Sequence, residues 1–187
     1  MGEVLQMVRL DELNIAAEER AVVILEPLIE RAPEIARRVA RHRPFSAADG
    51  ISQAIRSELL KLETTSQIDL FRAHPELAPD NPLAMTCASQ QEQGRLNLTS
   101  DRNKFRIRLA DLNARYATKF GFPFITALVR HNDINSVLAE FEARLGNSRE
   151  QEIQQAIDQI CHVSSSRVQK AFGENSADAS RDAGAQK

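Results

Sequence analysis

Phe105, Leu109, Leu112, Tyr116 and Phe120 recur at steps of four, three, four and four residues. Only an α-helix brings such a set onto one face. The spacing predicts a helix that begins near Thr99 or Ser100 and stops at Gly121. Val137, Phe141 and Leu145 form a second stripe, closed by Gly146-Asn147. Ser148-x-x-Gln151 then reads as a capping box, in which each side chain answers the other residue's backbone N–H. The helix that follows carries Ile153, Ile157, Ile160 and Val168, with Ala156 and Cys161 beside them. The N-terminal third predicts helices near 18–30, 33–42 and 46–63, punctuated by Pro33 and Pro44, with Ser46 as N-cap of the third. A short helix from Ser66 to Arg72 comes next. No stretch alternates apolar and polar residues between turn dipeptides, and Gly and Pro number only 7 each in 187 residues. A large sheet is therefore not expected. The expected architecture is all-α: a single-domain bundle of about eight helices over residues 1–172. Residues 173–187 are small and polar, with too little apolar surface to offset ordering entropy, and predict a disordered tail.

Composition narrows the function classes. The chain has 24 Lys+Arg against 26 Asp+Glu, so the basic surplus that phosphate neutralisation needs is missing, and nucleic acid is not the expected partner. Apolar runs such as Ala21 to Leu25 are far too short to cross a membrane. The N-terminus has no signal-peptide apolar region and the C-terminal Ala-Gln-Lys is no peroxisomal triplet, so a cytoplasmic protein is expected. Cys87 and Cys161 stand far apart and form no CxxC motif. His42, His131 and His162 show no metal-ligand spacing with Cys or carboxylates, so no metal site is expected. No Gly-rich phosphate loop and no GxSxG elbow occur, which removes kinases, dinucleotide-binding enzymes and α/β-hydrolases.

Three segments could carry chemistry. The first is the Pro-rich loop AHPELAPDNPLA, with Pro75, Pro79 and Pro82. Proline pushes the preceding residue out of helical geometry, so His74 ends a helix and holds its imidazole on a fixed loop. An imidazole can act as acid or base near neutrality. By position alone, a helix-ending His that binds a carbonyl is the commoner use. The second is Ser89-x-x-Glu92-Gln93. On a helix these share a face and show a hydroxyl, a carboxylate and an amide. The same spacing is also a capping box with Ser89 as N-cap and Glu92 at N3. The third is Phe120-Gly121-Phe122-Pro123-Phe124-Ile125, an extended buried connection. It serves either as plain core or as an apolar wall whose backbone amides can read a flat heterocycle.

Taken in order, HRPF at 42–45, AHPELA at 73–78, SQQEQ at 89–93, LNARYATKFGFPFI at 112–125 and FEARL at 141–145 resemble the 2-oxo-4-hydroxy-4-carboxy-5-ureidoimidazoline (OHCU) decarboxylase family. The resemblance spans roughly residues 10 to 172. It implies an all-α enzyme of urate breakdown that removes the carboxylate of OHCU as carbon dioxide and delivers (S)-allantoin. It also implies that no metal or organic cofactor takes part and that the protein is a homodimer. It places the catalytic His on His74 and its Pro on Pro75. The substrate-binding stretch falls on Ser89, Gln90, Gln91, Glu92 and Gln93; from its chemistry Glu92 is also expected to be catalytic, by favouring the charged imidazole of His74 or by orienting the substrate hydroxyl. The last binding segment falls on Phe124, Ile125, Thr126, Ala127 and Leu128. The basic residue that often follows that segment falls on Val129, with Arg130 one place later. Two other readings fit the residues: a non-catalytic ligand-binding member of the same fold, and a helical module that binds a partner protein through an exposed apolar groove.

Overall fold

The computed structural model describes residues 8–100 and 104–173. They hold nine α-helices and no strand. The chain divides into two compact units, one made of residues up to Lys61 and from Ser164 onward, the other of Leu62–Val163.

The first unit contains α1 (Leu10–Ile15), α2 (Glu18–Leu25), α3 (Pro33–Ala40) and α4 (Ala48–Leu60), with the last turn of α9 (Arg149–Val168) and a π-helical turn at Gln169–Gly173. Helix α1 is not foreseen by the sequence pattern. At six residues with only Leu13 buried, it carries no stripe to detect. The single helix expected over 18–30 breaks after Leu25 into a 3-10 turn, Glu26–Leu28, because Pro27 cannot supply the next helical N–H. Pro33 opens α3 at its first position, where its fixed φ suits a helix start. The N-cap of α4 is Ala47 rather than Ser46, and no side chain caps it. The joint at Arg43-Pro44-Phe45 is closed by polar contacts. Arg43 donates to the carbonyls of Ala40, Leu13 and Ala16 at 2.7, 2.9 and 2.6 Å. The Asn14 amide pairs with both backbone groups of Phe45 at 2.8 Å. Leu25, Leu28, Ile29, Val39, Ile51, Ile55, Leu59 and Val168 form the core of this unit. Removing their apolar surface from water supplies the main driving force for its folding.

The second unit contains α5 (Thr64–Arg72), α6 (Cys87–Arg95), α7 (Arg106–Phe120), α8 (Ile134–Arg144) and α9 up to Val163. Every segment singled out for chemistry lies in this unit. Its core is aromatic. The Tyr116 ring stands 4.6 Å from that of Phe120, 5.4 Å from Phe124 and 5.6 Å from Phe141, while Phe124 stacks on Phe141 at 3.9 Å. The stripe from Phe105 to Phe120 is buried at Leu109, Leu112, Tyr116 and Phe120. Its helix starts later than expected, at Arg106, with Phe105 as N-cap. After α6 the chain turns on itself, the N–H of Leu98 bonding the Gln93 carbonyl at 3.1 Å and Leu98 filling the core. That anchored turn uses the residues expected to begin the helix. Gly121 ends α7 with φ +80°, a left-handed cap that a residue without Cβ adopts cheaply. The Ser148 capping box forms as read: Ser148 N–H donates to Gln151 Oε1 at 2.8 Å, and Gln151 N–H to Ser148 Oγ at 3.2 Å. The tail expected at 173–187 lies, beyond Gly173, outside the described residues.

Candidate active site

The proline-rich loop leaves α5 at Ala73, and His74 is its first residue. His74 Nδ1 donates to the Leu70 carbonyl at 2.9 Å. A carbonyl only accepts, so the proton sits on Nδ1 and the acid–base chemistry of the ring falls to Nε2. The helix-ending use expected from position is therefore present, and it fixes the ring rather than competing with a chemical role. Beyond Pro75, three consecutive residues of the loop are gripped by side-chain amides. Gln93 Nε2 donates to the Glu76 carbonyl at 2.9 Å, and Gln93 Oε1 accepts from Ala78 N–H at 2.8 Å. Between them, Asn113 Nδ2 of α7 donates to the Leu77 carbonyl at 2.8 Å. Burial pushes the Glu76 carboxyl up, and the charge of Asp80 adds to the effect.

Thr86, not Ser89, is the N-cap of α6, its hydroxyl accepting from Ser89 N–H at 3.3 Å. Ser89 is thereby the third residue of the helix and not its boundary, which corrects the capping-box reading. The other reading of the motif holds, since Ser89, Glu92 and Gln93 lie at helical positions i, i+3 and i+4. Ser89 and Gln93 are buried, Glu92 and Gln90 half-buried, and Gln91 exposed. Gln90 turns its amide to the Met85 carbonyl at 3.0 Å. The five residues of the stretch therefore do not share one face, and Gln91 stands away from the buried ones. Both Gln93 amide hydrogens are directed at protein acceptors, the second at Met85 Sδ, 3.3 Å away.

The third segment enters the same region from the other end of α6. Arg95 donates to the carbonyls of Leu128 and His131, the latter at 2.9 Å. One nine-residue helix thus holds the histidine loop through Gln93 and the 124–131 segment through Arg95. Arg72, at the end of α5, adds a bond to the Gly121 carbonyl at 3.0 Å, and Phe71 packs its ring 5.0 Å from Phe122.

The side chains of Phe124, Ile125, Thr126, Ala127 and Leu128 are buried in the core. What this segment offers a ligand is its backbone, and part of that is already engaged. Arg144 Nη1 donates to the Ile125 carbonyl, and Gln159 Oε1 accepts from Ala127 N–H, each at 2.8 Å. Among the described residues, the N–H groups of Phe124, Ile125, Thr126 and Leu128 have no protein acceptor. A buried N–H without a partner is costly, so four donors in five residues mark a backbone suited to reading carbonyl or carboxylate oxygens. Val129 and Arg130 are both exposed, on the 3-10 turn Leu128–Arg130.

A buried polar network backs this segment. Arg144 Nε bonds Glu152 at 2.8 Å, and its Nη1 bonds Glu140 at 2.9 Å. Glu152 also accepts from the Tyr116 hydroxyl and, at 2.8 Å, from the Asn147 amide. Glu140 accepts from Thr126 Oγ1 at 3.0 Å and faces His131 Nε2 at 2.7 Å. Burial raises the Glu140 carboxyl, but the bond and charge from Arg144, with Thr126 and His131, outweigh it and hold Glu140 below its ordinary range. Burial, opposed by the Arg144 charge and reinforced by Glu152, drives the Tyr116 phenol far upward. Sequence reasoning did not single out Arg95, Asn113, Arg144 or Gln159. The available signal was a polar residue standing on an apolar stripe: Asn113 between Leu109 and Tyr116, and Arg144 one turn after Phe141. Among the described residues, no three His, Cys, Asp or Glu side chains gather as metal ligands would, and no helix is long and apolar enough to cross a membrane.

The fold recurs in known proteins. A crystal structure of an OHCU decarboxylase in the presence of (S)-allantoin superposes with a TM-score of 0.64 at 20% identity, over 84% of this chain and 99% of that one. At such identity the likeness speaks for the fold. A 2-oxo-4-hydroxy-4-carboxy-5-ureidoimidazoline decarboxylase from Halalkalicoccus jeotgali is 32% identical over 86% of this chain and 89% of its own length. The Mus musculus protein of the same name is 33% identical over 80% and 84%. The OHCU decarboxylase family signature extends over residues 14–169, and with relatives of this identity over most of both chains, the chain belongs to the OHCU decarboxylase family.

Proposed function

We propose that this protein decarboxylates OHCU to (S)-allantoin, with His74 as general acid. The observation that carries the reading is the convergence on α6. The histidine loop and the backbone of the 124–128 segment are both tied to the helix that bears Ser89 and Glu92. Loss of carbon dioxide breaks a carbon–carbon bond and leaves its electron pair on the substrate, which can shift it into the adjacent C=N bond. It is left to the protein to hold the conjugated ring flat and to add one proton to one face. His74 is suited to the proton transfer, because Nδ1 is fixed on Leu70 and the carbonyl end of α5 favours positive charge on the ring. An imidazolium there stabilises the developing negative charge and delivers the proton from Nε2.

Glu92 either sustains that charge or accepts a hydrogen bond from the substrate hydroxyl. Pro75, Ser89, Gln90 and Gln91, with the backbone of Phe124, Ile125, Thr126, Ala127 and Leu128, complete the substrate-binding set, while Gln93, its amide engaged with Glu76, Ala78 and Met85, stands behind it. The unmatched N–H groups of Phe124, Ile125, Thr126 and Leu128 are suited to the ureido and ring carbonyls. The reading carries with it a homodimer in the cytoplasm that uses no metal or organic cofactor.

The test is His74→Asn on freshly generated OHCU, with the handedness of the product followed by circular dichroism. Spontaneous decay gives racemate, so the expected result is loss of the single-handed signal with the far-UV helical spectrum unchanged. Turnover near that of the native protein would sink the assignment.

A further inference from the structure

We propose that Gln93 and Asn113 act together as a clamp on the histidine loop and serve as positioning residues for the reaction, acting through His74. The inference rests on the reading of His74 given above and assigns a positioning role to two residues beside that same site. Three adjacent peptide groups are held: the Glu76 carbonyl and Ala78 N–H by the two ends of one amide, and the Leu77 carbonyl by another. The two amides come from different helices, α6 and α7, and both side chains are buried, Gln93 at 3% and Asn113 at 9% exposure.

The backbone they hold is under strain. Ala78 has φ +50°, the left-handed region that an L-residue with a Cβ enters at a cost. Such a conformation persists only where the surroundings over-determine it, and residues held in this way cluster at functional sites. Here the surroundings are Gln93 Oε1 on the strained residue's own N–H and Asn113 on the carbonyl just before it. The gripped residues start one position after Pro75, whose ring stiffens the link back to His74. A shift of the 76–78 turn is thereby transmitted to the imidazole. With both hydrogens of its amide directed at Glu76 and Met85, Gln93 sets where the acid stands rather than donating to the substrate. Asn113 is oriented by its one bond to Leu77 and buries an Oδ1 that has no partner. That is a polar group kept on the core face of α7 at a cost that core packing does not explain.

Gln93→Met and Asn113→Leu keep side-chain length or volume and remove the clamp. A misplaced acid lowers turnover, and kcat is expected to fall about ten- to a hundredfold. A lost substrate contact raises KM instead, so KM is expected to stay within about threefold of the native value. Adding Ala78→Gly to Gln93→Met makes the left-handed turn cheap without restoring any group a substrate could touch. It is expected to recover several-fold in kcat. Amide hydrogen exchange supplies a readout independent of activity: the Ala78 N–H is expected to exchange at least about tenfold faster in Gln93→Met.

A raised KM with kcat intact, or an unchanged exchange rate at Ala78, overturns the clamp. The exchange result decides the matter even where His74→Asn keeps its activity, so failure of the clamp and failure of the general-acid reading are told apart. Should Gln93→Met not fold, Asn113→Leu with exchange followed at residues 76–78 decides the same question.

Discussion

Arg144 offers the most demanding test of how the second unit is built. Its side chain is 7% exposed and pairs with Glu152, which is fully buried. Arg144→Leu leaves Glu152 with the Tyr116 hydroxyl and the Asn147 amide as donors but without a cation. Stranding a buried charge in this way costs about 3–5 kcal/mol. Each kcal/mol lowers the melting temperature of a chain this size by roughly 2–4 °C, so the expected drop is on the order of 10 °C. The chain contains one Tyr and no Trp, and that Tyr sits in the network. Its fluorescence during urea or thermal unfolding therefore reports on this unit directly. The double variant Arg144→Leu/Glu152→Gln is the control. It removes the uncompensated charge while a Gln oxygen can still accept from Tyr116, and is expected to recover roughly half of the loss. A drop under about 1 kcal/mol for Arg144→Leu, the range of an exposed ion pair, would mean that the burial of this pair has no energetic weight. A double variant less stable than the single would refute the stranded-charge argument itself.

Two further outcomes follow from the same unit. Gly121→Ala places a Cβ that meets only the ends of Arg149 and Arg72, at 3.8 Å. The cost is therefore the left-handed backbone alone, about 1 kcal/mol, read as a small fall in melting temperature with kcat unchanged. Glu140 is held below its ordinary value of 4.5, so the unfolded chain binds more protons than the folded one in the window just below that value. Its contribution to stability is complete above pH 4.5 and is lost as pH falls through the depressed folded value. Urea titrations at a series of acidic pH values are expected to show a shallower acid slope for Glu140→Gln than for the native chain. Equal slopes would place the acid sensitivity elsewhere.

Much of this architecture was legible in the chain because helical stripes and stop signals are local. The Tyr116 stripe, the Gly121 cap and the Ser148–Gln151 box each follow from residues three or four apart. Where the sequence misled, a tertiary contact overrode a local preference. Leu98 is pulled into the core and uses the residues that were to start α7. Thr86 takes the capping position for which Ser89 carries an equally good side chain. Six residues of α1 with one buried Leu give no period at all. The site divides along the same line. His74, Ser89, Glu92 and the FGFPFI segment announce themselves as motifs. Asn113, Arg95 and Gln159 bind backbone groups 36, 33 and 32 positions away, and no local pattern encodes such partners. What the chain does show is a cost without a visible reason: an Asn or an Arg on a face otherwise filled by Leu, Phe and Tyr.

That cost explains why the 122–128 segment is so rich in aromatic residues while its proposed role is polar. An extended segment with no neighbouring strand has no ladder to satisfy its amides. Burying it is tolerable only if its side chains gain enough from the core, and here Phe122 and Phe124 pack on Phe71, Tyr116 and Phe141. The amides must then be answered one at a time. Arg144 answers the Ile125 carbonyl, Gln159 the Ala127 N–H and Arg95 the Leu128 carbonyl, while the N–H groups of Phe122, Phe124, Ile125, Thr126 and Leu128 have no acceptor among the described residues. The rings and the long polar side chains are thus two parts of one device that holds this backbone in place, and on the proposed function that fixed backbone is what reads the substrate. A substitution that loosens either part, Phe141→Ala as much as Arg144→Leu, is expected to weaken substrate binding without touching a residue that contacts the substrate. A KM unchanged in both variants, measured below their melting temperatures, would show that the segment's rigidity does not matter to its ligand.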